Sequence, residues 1–126
     1  MEGFSKILYK DKEIFYVDYS SFGLDVYKTL RLIRYATEEY ERLQLPPKSV
    51  LAIANLSGLH FDTDLVNAFR EEKEKTAYYE KKVAVIGLKG LQRIAYSYVV
   101  SINSKDFLRI FRNITEAKEW LIRDKF

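Results

Sequence analysis

The chain has 126 residues, 21 Lys+Arg against 18 Asp+Glu, one His and no Cys. A chain of this length buries roughly two thirds of the surface its unfolded form exposes, so it needs neither a disulfide nor a structural metal to fold. The absent cysteines exclude thiol nucleophiles, thiolate zinc sites and iron–sulfur clusters; 48% hydrophobic and 31% charged residues exclude a disordered or collagen-like chain; a net charge of +3 is too small to announce nucleic acid.

In chain order, Ile7 to Tyr9 and Glu13 to Tyr19 are two β-rich runs separated by Lys10-Asp11-Lys12, which predicts an opening hairpin. From Phe22 to Leu43 the apolar positions Val26, Leu30, Ile33, Tyr40 and Leu43 recur at three- and four-residue steps, the pattern of a long amphipathic helix. Pro46-Pro47 ends it, and the apolar run Ser49 to Leu56 predicts a buried central strand. Asp62-Thr63-Asp64 offers an N-cap and an acidic first turn for a helix from Thr63 to about Tyr79, with Leu65, Ala68, Phe69, Glu72 and Thr76 as its buried stripe. Lys82 to Gly87 reads as a second buried strand. Leu88, Leu91, Ile94, Ala95, Tyr98, Val99 and Ile102 then give the clearest helical period in the chain. Phe107 to Phe111 is a last strand, and Thr115 with Glu116 opens a final helix carrying Ala117, Trp120, Leu121 and Ile122.

The order ββαβαβαβα predicts an α/β domain spanning residues 1–126: a single-layer, mostly parallel five-stranded sheet with an antiparallel N-terminal hairpin and four helices. No stretch approaches the roughly 18 apolar residues of a membrane span, and Met1 to Lys6 lacks the pattern of a secretory signal, so a cytoplasmic protein without a membrane span is expected. Most of the ten Tyr and eight Phe fall at core spacing, which assigns them to packing rather than to base stacking, and no nucleic-acid partner is expected.

In a sheet of this kind the loops leaving the strand C-termini share one edge, where ligands collect beside helix N-termini. Two loops are selected. One carries Ser57, Gly58, His60, Asp62 and Thr63; the other carries Gly87, Lys89 and Gly90, with Arg93 one turn beyond Lys89. Together they offer hydroxyls, an imidazole, cations and free backbone N–H groups to a partner or an anion. The glycines equally serve tight turns and the hydroxyls equally serve as caps. Asp62-Thr63-Asp64-Leu65-Val66 has the DxDx(T/V) spacing of aspartate-nucleophile phosphatases, but in those enzymes the first Asp directly ends the central strand, whereas here the acids open a helix. Adding His60 gives an H-x-D-x-D string, yet acidic helix starts need no metal to explain them. No catalytic residue, metal ligand or cofactor is assigned.

The element order resembles the STAS domain, the fold of anti-sigma-factor antagonists, and more closely its SpoIIAA-like relatives, sometimes grouped with SEC14-type proteins. The resemblance runs from about Lys6 to Ile122. It is carried by Val83-Ala84-Val85-Ile86-Gly87-Leu88-Lys89-Gly90-Leu91-Gln92-Arg93, similar to a V-G-x-x-G-L strand-to-helix junction, and by Phe111 to Leu121, similar to an F-x-x-x-x-E-A-x-x-W-L ending. It implies a bacterial regulatory module that binds a protein partner and is not an enzyme. The D-S-[ST]-G phosphorylation motif of the antagonists is absent; Ser57 and Thr63 occupy the corresponding region and are the positional candidates for phosphorylation. The leading expectation is thus partner docking through the edge around residues 57–63 and 87–93. The alternatives are a small lipophilic-ligand binder using the apolar helix from Leu88 to Ile102, and a metal-dependent phosphohydrolase using Asp62 and Asp64. A homodimer through the first strand or the third helix is a further expectation. The charge is uneven: residues 1–63 hold 8 basic and 9 acidic groups, residues 64–126 hold 13 and 9, so electrostatic preference for a partner is expected from the second half.

Overall fold

The computed structural model describes residues 1–60, 62–90 and 107–123. The strands are β1 (Phe4–Tyr9), β2 (Lys12–Asp18), β3 (Val50–Asn55), β4 (Glu80–Ile86) and β5 (Leu108–Ile110); the described helices are α1 (Val26–Arg42), α2 (Thr63–Thr76) and α3 (Ile114–Ile122). All five strands form one sheet in the order β1-β2-β3-β4-β5, with β1 antiparallel to β2 and every later pairing parallel. The expected mixed sheet and hairpin are therefore present. The helix expected over Leu88–Ile102 lies, apart from its first three residues, outside the described residues, so three of the four expected helices are described.

The period-two alternation of β2 and β4 sends side chains to two cores. Phe15, Val17, Val83 and Val85 face α1 and α2, where Leu32, Ile33, Tyr40 and Leu65 complete one cluster. Ile14, Ile53, Ala84 and Ile86 form the other with Ala117, Trp120 and Leu121 of α3. Strands buried on both faces read as near-continuous apolar runs, which is why β3 and β4 stood out in the sequence.

Four boundaries and one helix face depart from expectation. β1 and β4 begin earlier, at Phe4 and Glu80, because polar residues join the ladder at the strand ends. α1 begins at Val26 rather than Phe22: Asp25 is extended and its carboxylate accepts the Lys28 N–H at 3.1 Å, while the preceding residues turn through Phe22 N–H to Tyr19 C=O and Asp25 N–H to Phe22 C=O bonds. With that start, α1 buries Thr29, Leu32, Ile33, Ala36, Thr37 and Tyr40, whereas Val26, expected inside, is exposed. The small Thr and Ala side chains let α1 approach α2, and Thr37 Oγ1 donates to Glu72 of α2 at 2.7 Å. At α3 the cap is Asn113, whose side chain accepts the Glu116 N–H at 2.9 Å, so the helix starts at Ile114, one residue before the expected Thr115.

A register shift at the start of β4 positions two charges. Val50 pairs with Glu80 and Leu51 with Lys82, leaving Lys81 as the extra residue of a bulge. Glu80 therefore reaches the α1/α2 side and Lys82 the α3 side, although they are two residues apart. Both are buried.

Candidate functional site

The C-terminal edge of the sheet is built from the turns that follow β2, β3 and β4. Tyr19 N–H donates to Asn55 C=O and Leu56 N–H to Ile86 C=O, each at 2.9 Å, so the three strand ends are laced together before their loops diverge. Asn55 organises the centre: its amide Nδ2 donates to Tyr16 Oη at 3.0 Å and its Oδ1 accepts the Ser57 N–H at 3.1 Å, a side-chain-closed turn. Gly87 lies directly against this turn. Its φ is +88°, and a Cβ there would fall 2.2 Å from Ser57 Oγ and 2.6 Å from Ser57 N, so only glycine fits. Ser57 and Gly87, one from each predicted loop, are in contact.

Beyond that junction Gly58 takes a φ of +75° and turns the chain so that Leu59 is buried while His60 is exposed. Asp62 caps α2, its Oδ1 accepting the Leu65 N–H at 2.8 Å, and Thr63 is exposed as the first helical residue. One carboxylate oxygen of the H-x-D-x-D string is thus committed to the helix start. Among the described residues no group of three or more His, Asp or Glu side chains is arranged to hold a metal ion. Lys89 and Gly90 are exposed, and Gly90 has open space around its Cα. Arg93 lies outside the described residues.

His60 and Asp62 lie on the α1/α2 side of this edge. They line a shallow depression with Gly23, Leu24, Val26 and Thr29, at the point where the starts of α1 and α2 converge. The β2–α1 turn and the first residues of α1 were not among the expected site loops, yet they supply prominent apolar groups there: Leu24 of the turn is 77% exposed and Tyr27 of α1 88% exposed, with Val26 half exposed between them. Phe22 anchors the turn from beneath, buried in the α1/α2 core, so Leu24 is held outward by a fixed loop. The signal available in the sequence was the run Phe22-Gly23-Leu24-Asp25, a glycine and a capping acid inside what otherwise reads as a continuous helix.

A cavity of about 60 Å³ lies between the sheet and the helices α1 and α2, with Tyr40, Lys73 and Glu80 on its wall, which is room for a few waters rather than an acyl chain. The Tyr40 hydroxyl there is pushed well above its ordinary pKa by burial, with Glu80 and Tyr19 adding to the effect. No described helix is long and apolar enough to cross a membrane.

Neither a family model nor a curated protein matches the chain. Among solved structures it is similar to an uncharacterised protein of the DUF3478 family with a SpoIIAA-like fold from Shewanella loihica PV-4, with a TM-score of 0.63 and 15% identity over 94% of this chain and 91% of that one. The fold is SpoIIAA-like, as the order of elements and the Val83–Arg93 and Phe111–Leu121 segments implied.

Proposed function

We propose that this chain is a non-enzymatic binding module that docks a protein partner at the C-terminal edge of its sheet, on the surface formed by the β2–α1 turn and the His60–Thr63 loop. The observation that carries this reading is the outward display of Leu24, Val26 and Tyr27 where the turn anchored by Phe22 enters α1, beside the depression lined by His60 and Asp62. Large side chains held in solvent by a rigid loop are the material from which interface anchors are made, and aromatic residues carry a large share of such binding energy. Thr63, exposed at the first turn of α2, is the accessible phosphate acceptor of the two candidates; Ser57 is half-buried against Gly87. A phosphate on Thr63 would add nearly two negative charges beside Asp62 and Asp64 and weaken a partner docked there.

The reading is tested by placing a photo-crosslinking amino acid at position 24 or 27, and separately at exposed position 71 on α2, in cells of the native host. A discrete adduct with another protein from positions 24 and 27, lost when His60→Glu is added and not formed from position 71, is the expected result. Equal labelling from all three positions, or adducts to a second copy of this chain alone, would overturn it.

A further inference from the structure

An open groove of about 800 Å³ runs along the outer face of α1, with Tyr27, Leu30, Arg31, Arg34, Tyr35 and Glu38 on its walls. This face points away from the core, since α1 buries Thr29, Leu32, Ile33, Ala36, Thr37 and Tyr40 on its other side. Along the outer face Tyr27, Arg31, Arg34, Glu38 and Glu41 are all exposed and follow one another at alternating steps of four and three residues. That spacing places side chains in a single seam along a helix, the repeat by which helices pair in coiled coils.

The charges of the seam stand apart from their neighbours. To either side, Lys28 meets Glu2 at 3.8 Å and Arg42 is paired with Glu39. Arg31, Arg34, Glu38 and Glu41 have no ion pair among the described residues. Their order is also the reverse of what a helix favours for itself. An isolated helix gains when an acid precedes a base by four residues and when anions avoid its last turn. Here Arg34 precedes Glu38, and Glu41 sits in the last turn. The sequence base, base, acid, acid therefore serves something outside the helix.

The pattern is its own complement in the antiparallel direction. When two copies of the seam meet about a two-fold axis, heptad pairing sets Arg31 of one copy opposite Glu41 of the other and Arg34 opposite Glu38, and the symmetry repeats each pair. No like charges then face each other directly across the seam. A parallel alignment would set base on base and acid on acid.

We propose that α1 is the contact of a homodimer, in which two copies of this chain lay their Arg31–Glu41 seams antiparallel across a two-fold axis. The groove along the seam shares no lining residue with the depression beside His60 and Asp62, so this proposal and partner docking stand or fall independently. One helix per chain, contributing exposed charges, makes a small and salt-sensitive interface.

Sedimentation equilibrium of the full chain at low salt should show a monomer–dimer equilibrium that weakens as salt is raised. Arg31→Glu/Arg34→Glu makes the seam wholly acidic and Glu38→Arg/Glu41→Arg makes it wholly basic. Each variant alone should dimerise about tenfold more weakly or less, because like charges then face each other. An equimolar mixture of the two should form the heterodimer, which also shows that both variants remain folded. Reversing all four charges in one chain should restore the homodimer. A chain that stays monomeric at millimolar concentration in low salt, charge variants that dimerise as the parent does, or a mixture and a fourfold reversal that both remain monomeric would overturn the proposal.

Discussion

On the α1/α2 face of the sheet a buried carboxylate, Glu80, meets an ammonium, Lys73 Nζ, at 3.1 Å; on the α3 face a buried ammonium, Lys82 Nζ, meets the backbone carbonyls of Trp120 and Arg123 at 2.9 Å each. Both charges come from the start of β4 and are sent apart by the bulge at Lys81. One is neutralised by a counter-charge on a neighbouring helix. The other is solvated by the negative end of a helix, where the last carbonyls lack intrahelical partners and the peptide dipoles favour a cation. The two arrangements differ in the partners they show: a carboxylate facing an ammonium in the first, an ammonium facing the carbonyls of Trp120 and Arg123 in the second.

That difference predicts the largest stability effect at Lys73. Replacing it by Met leaves the Glu80 carboxylate, 4% exposed, without its counter-charge, and should cost about 3 kcal/mol at neutral pH. Adding Glu80→Gln to Lys73→Met should recover most of the loss, because the remaining amide is neutral. Urea unfolding of the two single variants and the double variant measures the coupling directly. Additive losses would mean that the pair is not what neutralises Glu80.

Lys82→Met should cost less, about 2 kcal/mol, the loss of the ammonium's hydrogen bonds to the carbonyls of Trp120 and Arg123. The loss should concentrate in α3, whose last turn the ammonium holds to β4, and should appear as faster amide exchange there than in α1. A cost for Lys82→Met exceeding that for Lys73→Met would reverse the comparison and show the carbonyl cage to be the stronger of the two.

How much of this was legible in the sequence follows from the same residues. The apolar cores of β3 and β4 and the three-to-four-residue period of α1 predicted the elements, because burial on both faces of a strand and on one stripe of a helix leaves a direct imprint on composition. The buried charges left none. Lys82 reads as a strand's polar boundary and Glu80 as part of a loop, and only the bulge, a backbone event without a residue signature here, sends them to opposite cores. At the C-terminal edge of the sheet, Ser57, Gly58 and Gly87 fell where the strand-end rule places them, since glycines at tight turns are visible. Leu24 and Val26 did not, because an apolar residue at helical spacing next to a helix reads as core until the cap at Asp25 sets the phase.

The smallest expected effect concerns a charge pair with neither kind of burial. Glu119 joins α3 to the β1–β2 turn by accepting from Lys10 and Tyr9, and its side chain is 41% exposed. The Lys10 hydrogen bond first, then the Tyr9 hydroxyl, holds its carboxyl below the usual carboxylate range, and the same carboxylate raises Lys10. A carboxylate whose pKa is lowered on folding contributes stability that is present above its unfolded pKa and disappears as the pH falls through the lowered value; the raised Lys10 contributes below its unfolded pKa and loses that contribution as the pH rises through its raised one. At neutral pH the contact is in force, and acid that protonates Glu119 removes it for both partners, because the carboxylate that raises Lys10 is then gone. Tyr9→Phe should move the Glu119 titration up toward the ordinary range without abolishing the Lys10 contact, as followed by carbon-13 carboxyl resonances, and the shift remaining should shrink in high salt because this site is open to screening. An unchanged titration in the variant would show that the Tyr9 hydroxyl does not stabilise the charged form. Salt insensitivity would mean that exposure is not what separates this pair from the Lys73–Glu80 pair.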